Sequence, residues 1–394
     1  MAEAFIVAAR RTAGGRRNGR LSGWHPVDLA AQVLDTLLAD TGIDPAAVDD
    51  VLMGCVSQAG EQSTNVARNA VLASTLPESV PGTSLDRQCG SSQQALHFAA
   101  QAVMSGSQDV VIASGVESMT RVPMFTPSEL PRKAGLGEYT SPRMQQRYPD
   151  VQFSQFVGAE RIARKYGLTK LQLDEYALES HRRAALATRE GRFAREIIAV
   201  PARFREGGDG SGGERHTADE GIRFDATLES IAAVRLLQPG GVITAANASQ
   251  ICDGATGVMV VSERALKVHG LTPLARVHHL SVMGHDPVIM LEAPIPATEA
   301  ALRKAGMRIE DIDAYEVNEA FAPVPLAWLQ ALGADPARLN VNGGAIALGH
   351  PLGASGTKLM TTLIHVLSQR GGRYGLQTMC EGGGMANVTI IERL

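Results

Sequence analysis

The sequence lacks the features that mark several classes of protein. Only 4% of its 394 residues are aromatic and its formal net charge is −4, so the composition indicates no nucleic-acid partner. No apolar run approaches the ~18 residues that span a bilayer, and the first residues do not form a cleavable targeting segment. With 44% hydrophobic and 20% charged residues, the chain is expected to form two or three globular domains.

Cysteine is also scarce, with Cys55, Cys89, Cys252 and Cys380 as its four occurrences. No C-x-x-C pair is present, which argues against a zinc ribbon or a thioredoxin motif, and no metal site is predicted. Four thiols in so long a chain do not make a disulfide framework, so a reducing cytoplasm is the expected location. Cys55 and Cys252 are interpreted as buried core thiols, which leaves Cys89 and Cys380 as candidates for chemistry.

Glycine is plentiful, and the most informative segment, 342–356, is rich in it and carries one histidine, His350. Neither G-x-x-x-x-G-K-[ST] nor G-x-G-x-x-G occurs in this segment, so it does not read as a phosphate-binding loop. A flexible connection with a structural histidine is one interpretation. A rigid loop that holds a catalytic histidine is the other, because glycine lets the backbone turn tightly or approach a ligand.

An internal repeat relates the two ends of the chain. Residues 42–51 align without a gap with residues 306–315, at an offset of 306 − 42 = 264. In each half the pattern predicts a helix before the repeat and a strand after it. The predicted helices are 26–39 and 297–304, and the predicted strands are 51–54 and 315–318. This alternation indicates a duplicated α/β domain with parallel sheets.

The next elements follow the same order in both halves. Cys89 precedes a helical run that leads to a strand at 109–114, and His350 precedes a predicted helix at 358–368 and a strand at 374–379. The segment 120–245 between the halves reads as an insertion, with an amphipathic run at 154–187. A mobile hairpin tip is predicted at Gly207–Gly213. The arginines from Arg10 to Arg20 are expected in a solvated loop.

Cys89, His350 and Cys380 together narrow the possible chemistry. Small polar residues follow Cys89, so it is predicted at a helix N-terminus, where the dipole lowers the pKa of a thiol. Cys380 ends a strand and precedes three glycines. A cysteine hydrolase needs one thiol, a histidine and an orienting Asn or Asp. Carbon–carbon bond chemistry on thioesters uses two thiols, one to carry the acyl group and one to move a proton.

These motifs resemble those of the thiolase family, the acetyl-CoA acetyltransferases and 3-ketoacyl-CoA thiolases. The resemblance spans essentially the whole chain, and its most specific pieces are Asn318–Phe321, the loop around His350, and Cys380–Gly384. Residues 115–119 and 247–255 also fit. The resemblance implies a duplicated βαβαβαββ fold with a five-layered α/β/α/β/α core. It also implies CoA as a substrate, no tightly bound cofactor, and a homodimer or homotetramer.

The same resemblance implies domain boundaries. Residues 1–119, completed by about 246–268, would form the N-terminal half. Residues 120–245 would form a loop domain that binds CoA, and residues 269–394 the C-terminal half.

The family pattern also implies a role for each candidate residue. Cys89 resembles the acylated nucleophile, His350 its base, and Cys380 the acid and base for the leaving enolate and the incoming CoA. Asn318 would fix a water that forms one oxyanion hole with His350. The backbone N–H groups of Cys89 and Gly382 would form the other.

Two further positions resemble contacts to CoA. Ser249 resembles the residue beside the pantetheine arm, and Arg223 the residue near the nucleotide. For Arg223, a solvated surface charge is the equally weighted interpretation.

Several positions depart from the family pattern. Asp86 replaces the usual Asn three residues before the nucleophile, and Glu381 places a carboxylate beside Cys380, where a like charge would raise the pKa of the thiol. The short-chain Met-Gly signatures are replaced at 154–156 and 290–294. The acyl pocket is therefore predicted to differ from the short-chain one, and these runs look more like actinobacterial thiolases of steroid breakdown.

The expected activity is an acyltransferase reaction, the thiolytic cleavage of a 3-ketoacyl-CoA in the β-oxidation of fatty acids or in steroid breakdown. The alternative within the class is condensation of acetyl-CoA to acetoacetyl-CoA. A decarboxylating ketosynthase is disfavoured, because Cys380 stands where those relatives use a second histidine. A non-catalytic CoA-binding scaffold is the alternative of another class, and it would need none of the four candidate catalytic residues.

Overall fold

The structure, a computed structural model, describes residues 2–205 and 213–394. The predicted hairpin tip at Gly207–Gly213 therefore lies, except for Gly213, outside the described residues. The helices are α1 Pro26–Thr41, α2 Val66–Ala73, α3 Ser91–Ser105, α4 Thr126–Lys133, α5 Pro142–Arg147, α6 Gln155–Lys165, α7 Lys170–Arg189, α8 Leu228–Ala232, α9 Glu263–His269, α10 Pro294–Ala305, α11 Pro323–Leu332, α12 Ala345–Leu348 and α13 Ser355–Arg370.

The strands follow the pattern expected from the repeat. They are β1 Ala4–Thr12, β2 Gly15–Arg16, β3 Asp50–Gly54, β4 Gly82–Leu85, β5 Val110–Ser118, β6 Ile197–Ile198, β7 Val200–Pro201, β8 Arg215–His216, β9 Cys252–Ser262, β10 Ala275–Gly284, β11 Ala314–Val317, β12 Tyr374–Glu381 and β13 Met385–Arg393.

The long strands form one connected sheet in the order β11-β12-β13-β10-β1-β9-β5-β3-β4. The two halves of the sheet join where β1 and β10 pair antiparallel, with Phe5 opposite Arg276 and Ile6 opposite Ala275. In the N-terminal half, β3 runs parallel to both β4 and β5, and in the C-terminal half β11 runs parallel to β12. The strand of the C-terminal half that corresponds to β4 is reduced to a single bridge between Tyr315 and Leu339.

Helices cover both faces of each half-sheet, because the buried strands are apolar on both sides. Helices α1 and α2 pack on the outside of the N-terminal half, and α10 and α11 on the outside of the C-terminal half. Helices α3 and α13 share one core between the half-sheets. The resulting order of layers is α/β/α/β/α, which confirms the predicted fold.

The repeat extends further than the aligned segment. Helix α3 begins at Ser91 and α13 at Ser355, which is again an offset of 355 − 91 = 264. Strands β5 and β12 begin at Val110 and Tyr374 with the same spacing. The ends of these elements therefore occupy equivalent places in the two halves, and they are the places where the candidate site residues lie.

The amphipathic run at 154–187 forms two helices, α6 and α7, which are separated by a turn at Gly167 with a φ of +65°. One local prediction needs correction, because the arginines near the N-terminus are not all solvated. Arg11 belongs to β1 and is fully buried, with its guanidinium 2.7 Å from Glu196 Oε1 and 2.8 Å from Asp219 Oδ1.

Within the described ranges, no helix is both long and apolar enough to cross a membrane.

Candidate active site

Cys89 lies in the turn between β4 and α3. The turn places Gln88 in the left-handed region, with a φ of +51°, and Asp86 Oδ1 accepts the Gln88 N–H at 2.6 Å. Gly90 caps α3, so Cys89 stands immediately before the helix, as predicted. Its side chain is half-buried, whereas Cys55 and Cys252 are buried, as expected of core thiols.

His350 is buried in the glycine-rich loop between α12 and α13. Its Nδ1 lies 2.5 Å from Ser355 Oγ, and the Ser355 hydroxyl donates to the Pro351 carbonyl at 2.8 Å. Because the hydroxyl proton is used in that bond, the Ser355 oxygen accepts the Nδ1–H of His350. The Nε2 atom is then unprotonated and can accept a proton.

The backbone that carries His350 is held from both sides. The buried Lys358 ammonium donates to the Leu348 and Gly349 carbonyls, at 2.5 and 3.0 Å. The buried Glu319 carboxylate accepts the Ile346 N–H at 3.1 Å. These contacts satisfy backbone groups that would otherwise be orphaned, and they make the loop a fixed holder rather than a flexible connection.

Asn318 follows β11 and points its amide toward the histidine. Its Nδ2 lies 3.3 Å from His350 Nε2, and it is buried. Asn318 Oδ1 is buried without a hydrogen-bond partner in the part of the chain that the structure describes. An unsatisfied buried amide oxygen next to the base is a place where a water can be held.

Cys380 is the next-to-last residue of β12, lies near the Cys89 thiol and is fully buried. Burial, the nearby Cys89 thiol and Glu381 all raise its pKa, in that order. Gly382 lies against Gln88, because a Cβ at Gly382 would fall 2.8 Å from Gln88 Oε1. The structure thus brings the 88–90 turn and the 380–382 turn together, and a side chain at Gly382 would separate them.

The predicted lowering of the Cys89 pKa is wrong. Burial, followed by the negative charge of Glu381, raises it to about 12, although the backbone at the helix N-terminus acts in the other direction. Burial and the Lys358 charge lower the pKa of His350 to about 3. At neutral pH the two groups are a thiol and a neutral imidazole, so the proton must move during nucleophilic attack and not before it.

Glu381 is a second unusual group in the site. It is fully buried, and burial raises the pKa of its carboxyl group to about 8, although Arg87 opposes the shift. The sequence-based expectation that Glu381 raises the pKa of Cys380 is confirmed in direction, but burial is the larger cause.

The two predicted CoA contacts lie at different depths. Ser249 is half-buried and donates its backbone N–H to the Ala320 carbonyl at 2.9 Å, directly beside the Asn318 segment. Arg223 is exposed, while the adjacent Ile222 packs with Ala347 and Leu348 ahead of the histidine. Both positions border the loop of His350, and their roles stay predictions.

Sequence reasoning missed three residues that support the site. Ser355 sets the histidine tautomer and could have been found, because it lies five residues after His350 in the same loop. Lys358 holds the loop backbone. Glu117 joins the halves, because its carboxylate accepts the Gly353 N–H at 2.9 Å across 236 residues of sequence. No local pattern marks such a distant contact.

Comparison with known proteins agrees with this arrangement along the whole chain. The family model for the thiolase N-terminal domain matches residues 4–264, and that for the thiolase C-terminal domain matches residues 271–393. The steroid 3-ketoacyl-CoA thiolase FadA6 of Mycobacterium tuberculosis is 54% identical over 396 residues, covering 100% of this chain and 95% of that protein. The 3-ketoacyl-CoA thiolase of Erwinia tasmaniensis is 40% identical, with 100% of both chains covered.

A solved structure gives the same result for the fold. The human mitochondrial 3-ketoacyl-CoA thiolase, crystallised in complex with CoA, superposes with a TM-score of 0.87 at 34% identity, over 100% of this chain and 98% of that one. With both family models and these relatives covering its length, the chain belongs to the thiolase family.

Proposed function

We propose that this chain catalyses the CoA-dependent thiolytic cleavage of a 3-ketoacyl-CoA to acetyl-CoA and a shortened acyl-CoA. The observation that carries the proposal is that the thiols of Cys89 and Cys380 lie close together, in a fold that also holds a neutral His350 whose Nε2 is free of a proton. The name of the 54% identical relative favours steroid breakdown as the setting.

The first half-reaction forms an acyl-enzyme. The Cys89 sulfur attacks the 3-keto carbonyl carbon while its proton passes to His350 Nε2. The bond between the α and β carbons then breaks, and its electron pair leaves as the enolate of acetyl-CoA. Cys380 donates its thiol proton to the enolate carbon, so acetyl-CoA departs and the shortened acyl group stays on Cys89.

The second half-reaction restores the enzyme. The Cys380 thiolate takes the proton of an incoming CoA thiol, and the CoA sulfur attacks the acyl-Cys89 thioester. Cys89 leaves as the tetrahedral adduct collapses, and it recovers its proton from His350. Both thiols and the neutral imidazole are regenerated, so no further acid or base is required.

Each attack develops negative charge on a carbonyl oxygen. A water held by Asn318 with His350 would stabilise one oxyanion, and the backbone N–H groups of Cys89 and Gly382 the other. The orphaned Asn318 Oδ1 supports the water, and the contact of Gly382 with Gln88 supports the second pair. One such donor contributes roughly 3–4 kcal/mol to a transition state of this kind.

The acyl pocket favours bulky substrates over acetoacetyl-CoA. Phe156 of α6 and Phe321 meet edge to face at 5.6 Å, and Met290 is buried nearby in a left-handed conformation with a φ of +56°. Phe156 and Met290 stand where short-chain members carry their Met-Gly signatures. Acetoacetyl-CoA formation is the alternative activity, and a non-catalytic scaffold is the alternative of another class.

The binding of CoA is assigned to the loop domain, residues 120–245, with Ser249 along the pantetheine arm and Arg223 near the nucleotide. The N-terminal half, 1–119 with about 246–268, supplies Cys89, and the C-terminal half, 269–394, supplies His350, Cys380 and Asn318. We propose a cytoplasmic homodimer or homotetramer.

A single substitution tests the proposal. Cys89→Ser should retain the fold but lose thiolysis by a factor of about 10³ or more, since an unactivated hydroxyl is a weak nucleophile. Cleavage should be measured with a bulky 3-ketoacyl-CoA and with acetoacetyl-CoA, and the first should give the higher kcat/KM. Full activity in Cys89→Ser would refute the mechanism. A preference for acetoacetyl-CoA would favour the alternative activity.

The scaffold alternative has its own test. Iodoacetamide should label Cys89 stoichiometrically, and an acyl-CoA that acylates it should block the label. A protein that binds acyl-CoA tightly but neither cleaves it nor loses the label would be a scaffold.

A further inference from the structure

Two buried carboxyl groups occupy equivalent places in the two halves of the chain. Glu117 lies near the end of β5 and Glu381 at the end of β12, at the offset that relates the halves, 381 − 117 = 264. Both are fully buried. They nevertheless differ in their hydrogen bonds, and Glu381 is the one that lies near the Cys89 and Cys380 thiols.

Glu117 is fully satisfied by hydrogen bonds. Its carboxylate accepts the Val56 N–H at 2.9 Å, the Ser57 N–H at 3.0 Å, the Gln62 side-chain amide at 3.0 Å and the Gly353 N–H at 2.9 Å. Burial raises the pKa of its carboxyl group, and the hydrogen bonds from Val56, Ser57 and Gly353 act against that shift, so these donors stabilise the carboxylate in its buried position. It ties β5 to the loop of His350.

Glu381 has none of these partners. Neither carboxyl oxygen is in hydrogen-bond geometry with any group of residues 2–205 and 213–394. The Asn387 backbone N–H is near enough to favour the charged form but does not reach that geometry. The side chain lies against Gly90, where a Cβ would fall only 1.9 Å from Glu381 Oε1. The carboxyl group therefore lies against the residue that follows the nucleophile, close enough for its charge to act on the Cys89 thiol.

Few charged or titratable groups face this carboxyl. Asp86 and Arg87 lie in the Cys89 turn, and Arg87 acts on the carboxyl group through its charge without a hydrogen bond to it among the described residues. The Cys89 and Cys380 thiols are the other neighbours. His97 of α3 hydrogen-bonds Asn387, but burial lowers its pKa to about 3 and keeps it neutral.

We propose that Glu381 is a charge switch on the thiol pair, a positioning residue that permits the Cys89 thiolate while it is protonated and opposes it once it is ionised. For catalysis this inference rests on the proposed function, but the effect on Cys89 does not. Negative charge on the carboxyl group, close to a sulfur in the same low-dielectric site, destabilises the thiolate by direct repulsion.

The switch has a defined direction with pH. Glu381 is protonated below about pH 8 and ionised above it. Raising the pH normally increases the thiolate population tenfold per pH unit below the thiol pKa. Around pH 8 the ionisation of Glu381 also raises the pKa of Cys89, so part of the increase in thiolate population is lost. The reactivity of Cys89 should therefore rise less steeply around pH 8 than on either side.

The test is alkylation of Cys89 by iodoacetamide, followed by peptide mass spectrometry so that Cys380 is scored separately. In the wild type, the slope of log rate against pH should drop below one around pH 8 and recover above it. In Glu381→Gln the slope should stay at one, and the rate at high pH should exceed the wild type by about tenfold, the equivalent of one pKa unit. The two rates should converge toward pH 6 or so.

Three further variants test whether the change in Cys89 reactivity comes from the charge of Glu381. Glu381→Asp keeps the charge and should preserve the wild-type dip in slope. Asp86→Asn removes a more exposed charge, whose effect on Cys89 ranks after that of Glu381, and should give a smaller acceleration. Glu263→Gln removes a remote surface carboxylate that pairs with Lys267 and should change nothing.

Two results would overturn the inference. One is a wild-type slope of one through the whole interval, which needs no variant and stands even if Glu381→Gln does not fold. The other is an acceleration in Glu381→Gln that is equal at every pH, which is the mark of a purely structural role. Because alkylation uses no CoA substrate, the switch can hold when thiolysis is absent, and thiolysis can occur when the switch is absent.

Discussion

Glu117 and Glu381 stand at equivalent points of a duplicated fold, and the contrast between them shows that one buried position can serve structure in one half and border the reactive thiols in the other. Glu117 is surrounded by N–H donors, whereas Glu381 has no hydrogen-bond partner in the described structure. A buried carboxylate that accepts several hydrogen bonds stabilises the fold. A buried carboxyl group without hydrogen bonds costs stability, and such a cost is found where a group serves function. Equivalent positions in the two halves thus have different roles, a structural one for Glu117 and a proposed functional one for Glu381.

The equivalence extends to the reacting groups themselves. Cys89 corresponds to Gly353 (353 − 89 = 264), and His350 to Asp86 (350 − 86 = 264). Glu117 contacts Gly353 and Glu381 lies beside Cys89 and Gly90, so the pseudo-symmetric contact recurs. Only one of the two equivalent places carries a thiol. The other holds a glycine, which lets the loop of His350 pack against Cys55.

The largest expected effect is on kcat, and it should distinguish His350 from Asp86, the equivalent residue of the other half. His350→Gln should lower kcat for thiolysis by about 10²–10⁴-fold, the usual contribution of a general base. Asp86→Asn should change kcat by less than about tenfold, because Asp86 is exposed and bonds only its own turn. Steady-state assays at neutral pH measure both. Equal losses in the two variants would mean that the halves do not differ as described.

The next largest effect is on the free energy of unfolding. Glu117→Gln should lower it, and Glu381→Gln should raise it. Glu117→Gln should lower the free energy of unfolding by at least about 2 kcal/mol, because an amide cannot accept all the N–H groups that the carboxylate accepts. Glu381→Gln should raise it above pH 8 by at least about 1.4 kcal/mol, the equivalent of one pKa unit. Chemical denaturation at about pH 9 compares the two variants with the wild type.

The sign of the pH dependence follows from linkage. The folded pKa of Glu381 is raised to about 8, above the unfolded value near 4.3, so the folded state binds more protons between these limits. The contribution of Glu381 to the free energy of unfolding therefore falls as the pH rises from about 4.3 to about 8, and it is constant above that range. The advantage of Glu381→Gln over the wild type should grow across the same window. A constant difference would show that the carboxyl group does not titrate there.

The smallest expected effect compares two equivalent serines, Ser91 and Ser355. Ser355→Ala removes the acceptor of His350 Nδ1–H, so the wrong tautomer becomes populated and kcat should fall by about tenfold. Ser91→Ala frees the Arg87 N–H and the Gln88 carbonyl, and it should act mainly on thermal stability. The ratio of kcat loss to loss in melting temperature should be larger for Ser355→Ala. The reverse order would contradict the assigned tautomer.

Much of this molecule could be predicted from local patterns. The spacing of apolar residues gave α1, β3 and β12 nearly in full, and the offset of 264 predicted the duplication that the sheet displays. The glycine loop and the two thiols could be picked out because their residue types are informative on their own, whereas Asn318 was identified through the resemblance to the thiolase family. The break at Gly167 was missed, since the apolar pattern continues from α6 into α7 across the turn.

Other features depend on contacts that sequence spacing does not contain. Arg11 lies in a run of arginines that reads as a solvated loop, yet it is buried between Glu196 and Asp219, which lie about two hundred positions away. The predicted low pKa of Cys89 considered only the helix dipole. The fold adds burial and the charge of Glu381, and together these outweigh the dipole.

The sequence by itself determined the duplicated α/β architecture, through its periodicity and internal repeat, and the thiolase family with its four candidate catalytic residues, through the resemblance of its motifs, because all of these depend on the order of residues alone. Only the tertiary structure decided the electrostatics of the site. The raised pKa values of both thiols and the contrast between Glu117 and Glu381 arise from burial and from contacts between segments that are distant in sequence. The tautomer of His350 is set by Ser355, five residues away, but only the folded loop brings the two side chains into contact. Burial and distance set a pKa, and neither is local in sequence.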